Sequence, residues 1–228
     1  ASRLCPGCTT TGPGKTLSMS HTDPKHHLLV FARAPIPGRV KTRLIPTLGE
    51  AGATAVYRRL LRDTLASCAR VRNVRHELWL DQTTSDPELN ETAVRLGLSL
   101  HLQRGPDRGA RMQHAFADVF ERARSAVLIG SDCPEYDRDY IEAAFRALER
   151  HDAVLGPATD GGYVLIGLKR VETRLFRNIP WGTADVLETS RDRLRRLRWT
   201  WLELDSKQDV DEAQDLLRFP YLSGDPSG

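Results

Sequence analysis

No apolar run in the 228-residue sequence approaches the ~18–20 residues that a membrane-spanning helix requires, and its longest ones, at 28–32 and 163–166, have the length of buried strands. No membrane partner is therefore expected. Charge of one sign is not in excess either: the formal net charge is +3, which argues against a dedicated nucleic-acid binder but leaves room for local basic clusters that hold phosphates. The four cysteines read as reduced thiols and the N-terminus lacks the continuous apolar segment of a signal peptide, so the expected location is the cytoplasm. No internal repeat and no second domain is visible. What is present is a hydrophobic fraction of 40%, enough for one sizeable core.

Residues 1–25 differ from the rest. They are rich in Gly, Pro, Ser and Thr, show no apolar period and begin without Met; Met19 is read as the natural start. A flexible tail is expected there, followed by a single domain over 26–220 and a flexible C-terminus over 221–228. Two motif-like stretches in the tail are set aside. Cys5-Pro6-Gly7-Cys8 has no second Cys/His pair, and Gly12-Pro13-Gly14-Lys15-Thr16 has Thr9 where a phosphate-binding loop needs its first glycine. His26 and His27 are read as the edge of this tail.

From residue 28 onward, strand and helix signals alternate. The run 28–32 suits a strand buried on both faces. Val56, Leu60, Leu61, Leu65 and Cys68 share one helical stripe within 50–70. A strand is expected at 77–80, a helix at 87–96 and a strand at 98–102. Helical spacing then recurs through Met112, Ala115, Phe116, Val119 and Phe120, followed by a strand at 126–129 and a helix carrying Ile141, Ala144, Phe145 and Leu148. Such alternation predicts an α/β domain, doubly wound around a mostly parallel sheet. Strands at 153–155 and 163–168, joined by a short polar turn, add a smaller antiparallel portion. A helix at 183–197, whose arginines read as a solvated face with Leu194 and Leu197 inward, a strand at 199–204, and a last helix with a capping box from Asp209 to Glu212 complete the order.

Ligands of open α/β sheets collect beyond the carboxyl ends of the strands, and three unusual segments fall there. After the first strand, Arg33-Ala34-Pro35-Ile36-Pro37-Gly38-Arg39-Val40-Lys41-Thr42-Arg43-Leu44 concentrates Arg33, Arg39, Lys41 and Arg43 with no carboxylate in the loop to offset them. A polyphosphate is the natural partner, and a solvated basic loop is the alternative. After the strand at 126–129, Gly130-Ser131-Asp132-Cys133-Pro134 offers Asp132 in one of two roles: a ligand to a divalent cation, or the cap of the next helix. Asp160-Gly161-Gly162-Tyr163 is either a tight turn or a place where backbone and Asp160 approach a substrate closely.

Together these runs, in this order, resemble an uncharacterised glycosyltransferase-A-fold family associated with radical-SAM and arsenosugar-type gene sets (DUF2064-like), within the nucleotide-diphospho-sugar transferase superfamily. The Lys41-Thr42-Arg43-Leu44 core and the acidic-Pro segment are also similar to 2-phospho-lactate guanylyltransferases. The resemblance spans residues 28–217. It implies a nucleotide-diphospho-sugar transferase-like fold and a role for Gln103-Arg104-Gly105-Pro106-Asp107-Arg108-Gly109-Ala110-Arg111-Met112: Gln103, Gly109 and Arg111 would contact the nucleotide, an ordinary strand-to-helix loop being the alternative. One departure is plain. No Asp-x-Asp pair stands at residues 131–133, so a metal on Asp132 needs Asp160, phosphate oxygens or water as further ligands.

The resulting expectation is an Mg²⁺- or Mn²⁺-dependent transferase. Arg33, Ala34, Gly38, Arg39, Lys41, Thr42 and Arg43 would bind the nucleotide, and Lys41, Arg43 and Asp132 would serve the chemistry. Asp132 and Asp160 would hold the metal, while Gly161, Gly162 and Tyr163 would meet an unknown small acceptor. Trp181 fits either that pocket or the core. Nucleotidyl transfer from a nucleoside triphosphate is placed ahead of glycosyl transfer from a nucleotide sugar. A nucleotide-binding module without turnover and a nucleic-acid binder using the basic helix near Arg195 are the contrasting classes.

Overall fold

The computed structural model describes residues 25–223; the Cys5–Cys8 and Gly12–Thr16 stretches and most of the expected tails lie outside them. Seven strands form one sheet among these residues: β1 (His26–Ala32), β2 (Arg75–Leu80), β3 (Ser99–Leu102), β4 (Ser125–Gly130), β5 (Ala153–Pro157), β6 (Tyr163–Leu168) and β7 (Trp201–Glu203). Their order is β3-β2-β1-β4-β6-β5-β7. Strand β6 runs antiparallel to β4 and β5, and every other pairing is parallel. The fold is therefore the expected doubly wound α/β one with a smaller antiparallel portion. Among the described residues no helix is long and apolar enough to cross a membrane.

Five α-helices among the described residues cover the sheet: α1 (Ile45–Cys68), α2 (Pro87–Leu96), α3 (Arg108–Val119), α4 (Arg138–Arg150) and α5 (Val186–Leu197). Even-numbered residues of β1, such as Leu28 and Val30, pack on the α1, α2 and α4 side with Leu61, Ala93 and Ile141. Leu29 faces the other way, toward Phe116 of α3 and Leu194 of α5. Local chemistry sets the helix starts. The carboxylates of Asp86, Asp107 and Asp137 accept the Leu89, Ala110 and Tyr140 amides, satisfying donors that a first turn leaves unpaired. Helix α1 is broken at Gly49 (φ 68°, ψ 172°), so its regular part begins at residue 50 and carries the buried stripe from Ala53 to Cys68.

The expectations for the last helix and for His27 fail here. Among the described residues no α-helix follows β7; instead residues 205–223 run as an irregular strap with 3₁₀ turns at Asp215–Leu217 and Pro220–Leu222. The Glu212 amide, which a cap at Asp209 would accept, donates instead to the Asp215 carboxylate, as does the Asp211 amide. Val210, Leu216, Phe219 and Leu222 of the strap are buried against Leu44, Val56 and Leu60, so burial extends past residue 220, where the flexible C-terminus was expected to begin. His27 is also no tail residue: it is fully buried in β1, with Nδ1 2.8 Å from Glu77 Oε1.

This topology positions the site. The chain steps outward from β1 to β2 and β3, then returns to β4 on the other side of β1. Loops leaving β1 and β4 must diverge at that reversal, and a crevice opens beyond their carboxyl ends.

Candidate active site

A cleft of about 700 Å³ occupies this crevice. The loop after β1 forms one wall and is tied down by side chains from elsewhere. The Arg33 amide donates to the Tyr57 hydroxyl (2.7 Å) and the Ala34 amide to Asp81 (2.8 Å). The loop ends at Lys41, whose backbone lies in the left-handed region (φ 45°, ψ 45°), a conformation that costs an L-residue on the order of 1–2 kcal/mol. From there the Lys41 side chain runs inward and is 4% exposed. Its Nζ lies 2.9 Å from Asp132 Oδ2 and 3.0 Å from Asp211 Oδ1.

The loop cations were expected to lack a carboxylate partner, and this is overturned. Asp132 arrives from the end of β4 and Asp211 from the C-terminal strap, which is pinned there by the Val210 amide donating to the Asp132 carbonyl (3.0 Å). Arg43 stands farther out, 3.8 Å from Asp211 and 3.9 Å from Glu212. Burial pulls the Lys41 pKa down, but Asp132 and Asp211 outweigh it and the net shift is upward. For Asp132, burial pushes upward and the Lys41 charge, with the Lys41 and Ser131 hydrogen bonds, holds the carboxyl below its usual range. Both groups are therefore charged at neutral pH. The capping role open to Asp132 is removed, since Asp137 caps α4.

Of the residues singled out in the sequence, Arg33, Lys41, Thr42, Arg43, Gln103, Arg111, Asp132, Asp160, Gly162, Tyr163 and Trp181 line the cleft. Five others do not, each for a visible reason. The Ala34 amide is taken by Asp81, Gly38 backs onto Glu50, and Arg39 turns outward to Gln82 at 3.4 Å. Gly109 lies beneath Trp181, where an added Cβ would come within 2.3 Å of the Phe176 carbonyl oxygen and 2.8 Å of Trp181 Nε1. Gly161 (φ 88°) backs onto Ala184, whose carbonyl oxygen would be 2.3 Å from a Cβ. These two glycines are small because walls close against them. Gln103 spends its amide N–H groups on the Ala32 and Trp79 carbonyls (3.1 and 2.9 Å), which locks its orientation at the ends of β1 and β2. Asp160 accepts the Gly162 amide at 2.8 Å, closing the turn before β6. Tyr163 and Trp181 meet edge to face, 6.2 Å apart, and form the opposite wall.

Three residues on the wall were missed as site residues. Arg108, in the first turn of α3, lines the cleft, and its charge acts on Asp132. Asp209 and Asp211 flank buried Val210 at the cleft margin. The signal available for these two is the acid-apolar-acid alternation of Asp209-Val210-Asp211, which has the local look of a helix cap. Burial and the carboxylates of Asp211, Asp160 and Asp132 together push the Asp209 carboxyl up to about 6. That crowding means Lys41 leaves negative charge unneutralised. Among the described residues no group of three or more His, Cys, Asp or Glu is arranged as a ready metal cage. The donors that face the cleft are nonetheless carboxylates, the chemistry that suits a hard divalent cation such as Mg²⁺ or Mn²⁺ when phosphate or water completes the shell.

A family profile described as "Uncharacterized protein conserved in bacteria (DUF2064)" matches residues 64–183. A crystal structure of a candidate nucleotide-diphospho-sugar transferase from Desulfovibrio desulfuricans is 33% identical, covers 89% of each chain and superposes with a TM-score of 0.79. The chain belongs to the DUF2064 family. More distant likenesses share the fold alone. The 4-diphosphocytidyl-2C-methyl-D-erythritol synthase of Anaerococcus prevotii is 9% identical over 87% of this chain and 96% of its own, with a TM-score of 0.59. Glucosyl-3-phosphoglycerate synthase of Mycobacterium tuberculosis, solved with Mn²⁺, UDP and glucosyl-3-phosphoglycerate, is 12% identical over 86% and 76%, with a TM-score of 0.51. No curated protein matches the chain.

Proposed function

We propose that this DUF2064 protein is a divalent-metal-dependent transferase that uses a nucleotide-activated substrate, with nucleotidyl transfer from a nucleoside triphosphate to a small acceptor as its reaction. The observation that carries this reading is the charge pattern of the cleft. Arg33, Arg43, Arg108 and Arg111 line its walls around the carboxylates of Asp132, Asp160, Asp209 and Asp211. Arginines suit the oxygens of a polyphosphate, and carboxylates suit the cation that accompanies it.

In this reading an acceptor oxygen attacks the α-phosphorus, the α–β bridging P–O bond breaks, and pyrophosphate leaves with the bonding electrons. The arginines neutralise charge on the departing phosphates, stabilising the transition state more than the ground state. Asp132 and Asp160 would hold Mg²⁺ or Mn²⁺, which when bound would supply positive charge to offset that of the phosphates. Tyr163, Gly162 and Trp181 shape the acceptor side. Among the described residues no histidine lines the wall as a general base, and an acceptor that is itself a phosphate or carboxylate needs none. A second reading, glycosyl transfer from a nucleotide sugar, is supported by the name given to the 33% identical relative.

Titration calorimetry with Mn²⁺ separates the two: nucleoside triphosphates bind more tightly than nucleotide sugars of the same base, and pyrophosphate appears when an acceptor panel is supplied. Tighter binding of the nucleotide sugars, with nucleoside diphosphate as product, reverses the order. Binding of either without any product leaves only a nucleotide-binding module.

A further inference from the structure

Lys41 is placed unlike any other cation of the cleft. Its side chain is 4% exposed, whereas the two carboxylates that hold it remain 40% (Asp132) and 45% (Asp211) exposed. The ammonium thus lies behind an acidic pair that still faces the ligand space. It touches one oxygen of each carboxylate, at 2.9 and 3.0 Å. A divalent cation engaging Asp132 would compete for the same charge and would be repelled by the ammonium at such short range. Lys41 also hangs from a loop rather than a helix or strand, and its four-carbon stem can swing without moving the sheet.

We infer that Lys41 is an exchangeable internal counter-ion. In the free protein it neutralises Asp132 and Asp211; when a divalent cation arrives with a polyphosphate, the cation takes over Asp132 and the ammonium turns to a phosphate oxygen. No covalent bond changes. The inference deepens the proposed function and rests on its reading of the cleft as a metal-assisted phosphate site. It adds an order to binding. Metal alone competes with a tethered cation and binds weakly, whereas metal and polyphosphate arriving together offer the displaced ammonium a new anionic partner and bind cooperatively.

The test is Mn²⁺ titration, without nucleotide, of the wild-type protein and of Lys41→Met, which keeps an unbranched apolar stem and removes the charge. Lys41→Met binds Mn²⁺ at least tenfold more tightly, and Mn²⁺ raises its melting temperature more than that of the wild type. Equal or weaker Mn²⁺ binding by Lys41→Met overturns the exchange. If Lys41→Met does not fold in metal-free buffer, Lys41→Met combined with Asp211→Asn returns the local charge to the wild-type value while still lacking the competitor. That double variant also binds Mn²⁺ more tightly than wild type, and no gain in it is likewise fatal. Nucleotide binding by the wild type is measured separately. If it is absent, the proposed function falls while the exchange can stand; if it is tight and the variants gain no Mn²⁺ affinity, the exchange alone falls.

Discussion

Replacing Glu77 tests how the sheet supports the cleft. Glu77 is fully buried in β2, with His27 Nδ1 at 2.8 Å, Trp79 Nε1 donating at 2.9 Å and Arg122 donating at 3.2 Å. His101 stacks on Trp79 with ring centroids 4.6 Å apart, completing a polar cluster beneath α3. Glu77→Ala strands these partners, and breaking a buried charge pair on one side costs about 3–5 kcal/mol. For a domain of this size that is a fall in melting temperature of roughly 6–20 °C. Glu77→Gln keeps the shape and loses the charge, so its cost is about 1.5–3 kcal/mol, the scale of a charge-assisted hydrogen bond. Burial pushes the Glu77 carboxyl upward, but the His27 bond, the His101 and His27 charges and the Trp79 N–H bring it net below the usual range. A depressed folded-state pKa contributes stability above the unfolded value of about 4.3, and that contribution is lost as pH falls through the folded value. The wild-type-to-Gln gap in urea unfolding is therefore full at pH 7 and closes below about pH 4. The Trp79 carbonyl also anchors Gln103 at the cleft, so nucleotide affinity falls with stability. A Glu77→Ala protein within about 1 kcal/mol of wild type at pH 7, or a Gln gap that ignores pH, refutes the reasoning.

Further outcomes can be measured on the same protein. Arg43→Ala, at a side chain 65% exposed, leaves the melting temperature unchanged and weakens nucleotide binding about tenfold, one charge-assisted contact; unchanged affinity in calorimetry removes Arg43 from the phosphate site. Asp132→Asn abolishes the Mn²⁺ dependence of nucleotide binding while circular dichroism still reports a folded chain, and a retained Mn²⁺ response assigns the metal elsewhere. Gly109→Ala, which sets a Cβ against the Phe176 carbonyl oxygen and Trp181, destabilises by about 1–3 kcal/mol and shifts tryptophan fluorescence; a silent substitution shows that the wall yields. Deleting residues 1–23 leaves stability and nucleotide binding as they are, and a drop of several degrees would put essential contacts in that segment.

How far these features could be read in advance depends on the range of the interactions that create them. Helix α2 matched its expected limits because its determinants are local: Asp86 caps, Pro87 opens and Gly97 closes in the left-handed region (φ 65°). The alternation of strands and helices was legible for the same reason, each strand showing its burial in its own apolar run. The C-terminal strap was misread where a local pattern lost to a tertiary one. Asp209 and Glu212 have the spacing of a capping box, yet Val210 is buried against α1 and the flanking acids are drawn to the cleft margin, which a continuous helix would not allow. The basic loop shows the same limit from the other side. Its cations announced an anion site, but the Lys41–Asp211 contact joins residues 170 positions apart, and no window of sequence contains both. What looked like a cluster awaiting phosphate is, in the folded chain, a cluster in which one cation is already committed to the protein's own carboxylates. Phosphate recognition therefore rests on the arginines that remain on the wall, including Arg108 from α3, and the role of Lys41 depends on whether its carboxylates are taken by another cation.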